Sequence, residues 1–251
     1  MSAEKSEALV VRQVDFSETS RVVTLFTRDF GKISALAKGA RRLKGPFESA
    51  LDLLARCQIV FLRKSSSGLD LLTEAKLLDR FHPGSRDLVG LYGGYYVAEL
   101  LSSLSEEYDP HAAWYDEAVR TLDRLEKGGN SKLAIIRFEL ATLREIGQLP
   151  SFDACIVCGK SAETQTPFGF WVSQGGLICR NCRPAEYQHQ AVQPGTLAIL
   201  RRLAAESDTS LDRLIVSSPQ LQQMRQLMTT ALSHILGHRP KMLRYLQSPG
   251  L

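Results

Sequence analysis

Residues 31–47 read "GKISALAKGARRLKGPF". The first half alternates with a period of two. Ile33, Ala35 and Ala37 turn to one side, while Lys32, Ser34 and Lys38 turn to the other with Leu36 among them. That is the pattern of a strand with one buried face. The second half is a polar loop that adds Arg41, Arg42 and Lys44. The whole stretch carries five basic residues and no acidic one.

Outward from this strand lie four more β-rich runs separated by turn residues. They are "ALVVRQV" (8–14), "SRVVTLFT" (20–27), "ARCQIVFLRK" (55–64) and "LDLLTEAKLL" (69–78). Five short strands with no long helical repeat predict a small closed barrel, for which the five-stranded OB-fold is the common solution. An SH3-like barrel would give a similar pattern. After "FHPGS" (81–85) the period changes. Segments 86–107, 111–129 and 131–150 space their apolar residues at i, i+3 and i+4, as helices do. Gly128-Gly129 stops the second helix, and Asn130-Ser131 can cap the third. Helical pattern is lost over 151–190 and returns at "TLAILRRLAAE" (196–206) and "QLQQMRQLMTTALSHILG" (220–237). The predicted fold class is therefore α+β and multidomain. An N-terminal OB-fold barrel (1–80) is followed by an all-helical domain (81–150 and 191–251) with an inserted four-cysteine zinc module (151–190).

The module rests on "CIVCGK" and "GLICRNC", which place CxxC pairs at Cys155/Cys158 and Cys179/Cys182 with twenty residues between them. A two-residue spacer lets both thiolates of one turn face the same ion, and two such turns complete a tetrahedron of sulfurs. This predicts one structural Zn²⁺ per chain, since four thiolates leave no position open for water or substrate. The intervening "FWVSQGGLIC" reads as a hairpin turning at Gly175-Gly176. Redox CxxC pairs are the rival reading, but neither has a βαβ context.

Other candidates carry less. Cys57 shares a strand face with Ile59 and Phe61 and reads as a buried small hydrophobe. His234 and His238 stand at i, i+4 without the Glu of a zincin motif. "GLYGGYY" (90–96) lacks the lysine of a phosphate loop, so its glycines read as sites of close helix packing. No nucleophile elbow, paired-carboxylate motif or Walker signature is present, and no covalent catalysis is expected.

The 251 residues are 44% hydrophobic, enough for a sizeable core. No apolar run approaches the ~18–20 residues of a membrane helix. "MSAEKSEALV" places acids where a signal peptide is apolar, so a cytoplasmic location is expected, with the cysteines as thiols or metal ligands. Residues 1–80 carry a net charge of +4, residues 81–212 carry −5 and residues 213–251 carry +5. The basic character sits at the two ends. A row formed by Lys32, Ser34, Lys38, Arg41, Arg42 and Lys44 can follow a sugar-phosphate backbone, as OB-fold faces and loops do. The plainer reading is an edge strand guarded by lysines.

With "SETSRVVTLFTRDFGKISALAKGARR", "GGYYVAELL", "RFELATLREIGQLPSFDACIVCG" and "GGLICRNC" in this order, the chain resembles the RecO family of bacterial recombinational DNA-repair proteins over nearly its whole length. One departure is Gly45, where the family usually has a small hydroxyl residue after the basic cluster. The resemblance implies a nucleoid-associated protein that binds single- and double-stranded DNA and anneals complementary strands. It also implies association with RecR and single-stranded DNA-binding protein, in support of RecA. Two alternatives from other classes fit the barrel and zinc: an RNA-binding protein of the translation machinery, and a nuclease subunit. The latter needs grouped carboxylates for Mg²⁺, which the basic stretch lacks.

The far end bears on the partners. After Asp212 no acid follows, while Arg213, Arg225, Arg239, Lys241 and Arg244 do. Leu221, Met224, Leu227, Met228, Leu232 and Ile235 form a helical stripe that puts Arg225 on its flank. A basic rim of Arg239, Lys241 and Arg244 beside an apolar helix groove could accept a short acidic peptide with an apolar end. The resemblance implies the tail of single-stranded DNA-binding protein as that peptide. The stripe read as plain core, or the charges read as a second DNA surface, are the alternatives.

Overall fold

The computed structural model describes residues 2–42, 47, 50–64, 68–84, 87–162, 167–184, 191–205 and 213–246. It is a mixed α+β structure with two compact units, residues 1–128 with 245–251, and residues 129–244. The change of period at residue 81 marks the passage from strands to helices, whereas the packing divides at Gly128/Gly129.

In the first unit, strands β1 (Ala3–Asp15), β2 (Arg21–Thr27), β3 (Gly31–Ala37), β4 (Arg56–Leu62) and β5 (Asp70–Asp79) form one sheet. Its order is β1-β2-β3-β5-β4, and β4 pairs back onto β1, so the sheet closes on itself. All pairs are antiparallel except β3 with β5. The period of two in β3 is the period of burial: Ile33, Ala35 and Ala37 are fully buried, and Lys32, Ser34 and Leu36 are half-buried. Val23, Leu25, Cys57, Ile59 and Phe61 meet them inside the sheet. Small alanines beside large aromatics suit an interior this narrow. Burial pushes the Cys57 thiol up to about 12, and its Sγ donates to Ala50 O at 3.2 Å.

Strand β1 serves two partners. Ala3–Leu9 pair with β4 and Ala8–Asp15 with β2, and a shift of register between Val10 and Arg12 bends the strand where it passes from one to the other. In "ALVV" alternation fails, because Ala8, Leu9, Val10 and Val11 are all buried. One face lines the interior, and the other lies under helix α1 (Leu88–Leu104), which with α2 (Ala112–Glu126) packs on the outside of β1 and β2. Phe26, outward on β2, is sealed by Trp114 with ring centroids 5.2 Å apart, edge to face. Apolar burial on both faces of a strand stabilises at roughly 25 cal/mol per Å² and fixes where the helices sit.

Two glycines allow close approaches. Gly31, at φ +67°, ends the β2–β3 turn, where Thr27 Oγ1 donates to Gly31 O at 2.8 Å; a Cβ there would lie 2.0 Å from Asp109 O. On α1, a Cβ on Gly94 would lie 2.3 Å from the Phe81 ring. The "GLYGGYY" run is thus a packing surface. Tyr96 is fully buried, and Tyr92 stacks on Tyr245 at 5.1 Å.

The second unit holds α3 (Ser131–Glu145), α4 (Pro194–Ala204) and α5 (Ser218–Leu236), which pack against one another, and a four-stranded sheet. The sheet has the order β6-β8-β7-β9, from β6 (Ser151–Cys155), β7 (Phe168–Trp171), β8 (Gly176–Ile178) and β9 (Ala191–Val192). Asn130 caps α3 by accepting from Leu133 N–H at 3.2 Å. Ser217 and Gln220 form a reciprocal capping box on α5. β7 and β8 form the hairpin expected from "FWVSQGGLIC"; Gly175 closes its turn, and Gly176 already belongs to β8. Among the described residues no helix is long and apolar enough to cross a membrane.

Candidate functional site

The cysteine cluster grows out of the small sheet. Cys155 is the last residue of β6 and Cys158 lies on the turn beyond it. Cys179 follows β8, and Cys182 ends the short helical turn after it. Because β6 pairs with β8, the two turns come to the same edge. The four Sγ atoms lie within 4.8 Å of one another, and Cys158 and Cys179 are 3.7 Å apart. Four cysteines so placed can hold a metal ion. Burial opposes ionisation of Cys155, but N–H groups of Cys179, Cys158 and Val157 outweigh it and bring the thiol down to about 6. Burial also opposes ionisation of Cys179, which neighbouring donors lower nonetheless. Cys182 is pushed up to about 12, first by its hydrogen bonds to Cys158 and Cys179. Backbone N–H donors favour the thiolate at Cys155 and Cys179, whereas neighbouring sulfurs oppose it at Cys182.

The module is tied to the helices by side chains. Arg201 on α4 donates through Nε to Phe152 O at 2.9 Å and pairs with Asp153. Gln223 on α5 donates to Ala191 O at 2.9 Å and accepts from Gln193 N–H at 3.1 Å.

The predicted basic row divides into two groups. Lys32 Nζ donates to the carbonyls of Ser102, at 3.1 Å, and Ser105, at the C-terminal end of α1. Ser34 Oγ donates to Glu107 at 3.1 Å, and Tyr108 N–H donates to Lys32 O at 3.0 Å. The segment after α1 therefore crosses the outer face of β3 and engages both side chains within the molecule. Lys38, Arg41 and Arg42 stand exposed on the turn after β3. Lys44 lies outside the described residues.

Arg41 also fastens that turn to the β1–β2 loop. Its N–H donates to Thr19 O at 3.2 Å and its Nη1 to Ser17 O at 2.9 Å, while Nε lies 3.5 Å from Asp15. Asp15 also accepts from Arg21 Nε at 2.9 Å. The basic stretch has no acid of its own, but the fold brings one to it. The same hairpin leaves Val14 and Phe16 exposed, at 47% and 64%. The sequence reading passed over Phe16, although an aromatic directly before the turn residues "SETS" was a visible signal.

At the far end, Arg239, Lys241 and Arg244 are all exposed residues. The apolar stripe of α5 is core: Met224, Leu227, Met228 and Leu232 are buried. Arg225, expected on the flank, instead reaches fully buried Glu139 on α3. A cleft of about 390 Å³ opens toward the C-terminal end of α5, where Ala231, His234 and Ile235 face Pro150 and Phe170, and a smaller one lies by Pro219, Gln222, Gln223 and Gln226 near its start.

Residues 1–81 match the family model described as "Recombination protein O N terminal", and residues 85–244 the model "Recombination protein O C terminal". The DNA repair protein RecO of Rhodopirellula baltica is 38% identical over 262 residues, covering 95% of this chain and 97% of that protein. That of Anaeromyxobacter dehalogenans (strain 2CP-1) is 32% identical over 250 residues, covering 100% and 98%. That of Myxococcus xanthus is 31% identical over 248 residues, covering 98% and 97%.

Proposed function

This chain belongs to the RecO family of DNA repair proteins, and on that premise we propose that it is a recombination mediator that binds DNA and anneals complementary single strands. The observation that carries the reading is the match to both family models, end to end, on a chain whose first unit presents an exposed basic turn. The closed order β1-β2-β3-β5-β4, with β3 and β5 parallel, supports an OB-fold barrel. Folds of this kind bind oligonucleotides with the face of their second and third strands and with the adjoining loops. Lys38, Arg41 and Arg42 follow β3, and the bonds of Arg41 to Ser17 and Thr19 hold their turn against the loop between β1 and β2, which supports reading them as phosphate contacts; Lys44 continues the run in sequence.

Annealing needs phosphates of two strands screened while the bases stay able to pair. Lysine and arginine on a turn meet the first need, because backbone contacts hold a strand without reading it. Base pairing supplies the free energy, so no bond-making step is assigned to any side chain. Lys32 and Ser34 are left out of this surface, since α1 and Glu107 already engage them.

Zn²⁺ fits the cysteine cluster. Sulfurs at ~2.3 Å from a tetrahedral ion are about 3.8 Å apart, against 3.7 Å for Cys158 and Cys179. When bound, the ion would supply a cross-link between the two turns and no open coordination position. Cys155, Cys158, Cys179 and Cys182 would hold it, and Arg201 and Gln223 carry the resulting rigidity to α4 and α5.

For partners, the reading takes RecR, RecA and single-stranded DNA-binding protein. For an acidic tail with an apolar end, the reading takes Leu149, Phe170, Val172 and Ile235 in the cleft as the apolar contacts, and Arg239, Lys241 and Arg244, exposed in the segment after α5, as the charge partners. The test is annealing of labelled complementary DNA strands in the absence of Mg²⁺ and nucleotide. Acceleration by the wild type, lost on substitution of Lys38, Arg41 and Arg42, is expected. A protein that binds RNA but neither binds nor anneals DNA would overturn the proposal.

A further inference from the structure

The β1–β2 hairpin outreaches the core. Beyond the register shift, Arg12 pairs with Thr24 and Val14 with Val22, and these side chains share the outer face of the sheet, because Val23 between them is buried inside. Phe16 follows Val14 at the same interval of two, at the tip. It is the most exposed aromatic among the large exposed hydrophobic residues of the described chain. An exposed phenyl ring loses the ~1.5–3 kcal/mol its burial would bring, and nothing in the packing of the first unit requires it there.

The ring stands on a braced loop. Phe16 N–H and Ser17 N–H both donate to Ser20 O, at 3.0 and 3.2 Å, and Ser17 Oγ accepts from Ser20 N–H at 3.2 Å. The two bonds from Arg41 to Ser17 O and Thr19 O hold this loop against the basic turn. The loop that carries the ring is thus fastened to the basic turn. Asp15 is occupied with Arg21 and Arg41, and Arg12 and Lys38 remain exposed on the outer face.

Resting on the DNA-binding reading above, we propose that Phe16 is a base-stacking residue that gives this surface its hold on single-stranded DNA. Lys38 and Arg42 take phosphates while the phenyl ring takes the face of one unpaired base. A duplex hides its base faces in the stack, so the ring discriminates single strands from duplex, a distinction that lysines and arginines do not make. Stacking tolerates any base, as a protein that handles arbitrary sequence requires. Glu18, exposed on the same loop, repels phosphate and keeps the backbone to the side of the basic turn.

The test compares wild type, Phe16→Ala and Phe16→Trp on three probes: oligothymidylate, the same backbone with abasic sites, and a blunt duplex. Phe16→Ala should bind oligothymidylate about five- to tenfold more weakly, with an unchanged salt slope, and should match wild type on the abasic strand and the duplex. Phe16→Trp should restore the affinity, and its added fluorescence should be quenched by oligothymidylate but not by duplex. Equal binding of oligothymidylate by wild type and Phe16→Ala overturns the inference. Intact oligothymidylate binding with lost RecR association would assign the ring to a protein contact and likewise overturn it. A wild type that binds none of the probes removes the DNA-binding reading itself, so the two failures are distinct.

Discussion

Replacing Lys32 with Met tests whether this lysine belongs to the protein or to the DNA. Its ammonium donates to two carbonyls in the last turn of α1, Ser102 O and Ser105 O, which have no helical donor of their own. A hydrogen bond from a charged group contributes ~1.5–3 kcal/mol, and a cation at a helix C-terminus adds ~0.3–1 kcal/mol. Methionine keeps the length of the stem and its packing but leaves both carbonyls without this donor. Lys32 is half-buried, so water recovers part of the loss, and a net destabilisation of about 2 kcal/mol is expected. For a protein of this size that lowers Tm by roughly 4–8 °C. The measurement pairs thermal denaturation, followed by circular dichroism, with fluorescence anisotropy of labelled oligothymidylate. Lys32→Met should melt earlier yet bind with the wild-type salt slope, and Lys38→Met should do the reverse. An unchanged Tm with a flattened salt slope in Lys32→Met would refute the reasoning and return Lys32 to the DNA surface.

Each lost phosphate contact on single strands lowers the salt slope by about 0.7, so Lys38→Gln with Arg42→Gln should flatten it by about 1.4 units, read from affinity at several salt concentrations. Gly31→Ala should cost more than about 3 kcal/mol, visible as a large drop in soluble yield and Tm, because its methyl meets the backbone of Asp109 and its φ is left-handed. Glu139→Ala should cost ~3–5 kcal/mol by leaving Arg225 without its carboxylate, whereas the joint change to Met at both positions should cost much less; chemical denaturation of the two variants decides it. Chelation, or Cys179→Ser, should unfold the second unit while leaving the strand signal of the first, checked by metal content and circular dichroism.

What the sequence revealed was what short spans of chain determine. The alternation in β3 was legible because one face is wholly interior, and Asn130 was legible because a cap acts three residues ahead. The cysteine cluster was legible because each CxxC spacer sets its own local geometry. The continuous run Ala8–Val11 gave no face to choose, since the helices that cover its outer side come some eighty residues later. The role of Lys32 was hidden for the same reason: its acceptors lie 70 and 73 positions away. Asp15 beside Arg41, and Glu139 beside Arg225, are partners that a count of neighbours in sequence does not reach.

The divided allegiance of β1 has a consequence on the ribosome. Its second half meets β2 almost as soon as both emerge, but Ala3–Leu9 must wait for β4, nearly fifty residues later. At about 5–20 residues per second the nascent chain spends several seconds with that edge bare. Unpaired strand edges recruit other chains, and charge on the edge is a common safeguard. The waiting half carries Glu4, Lys5 and Glu7 among its first residues, whereas the half that pairs at once holds the uninterrupted Ala8–Val11 run. Charge at the start of this strand is therefore expected to guard a translation intermediate, and replacing Glu4, Lys5 and Glu7 with threonine should raise aggregation during synthesis while hardly changing the equilibrium stability of the finished protein.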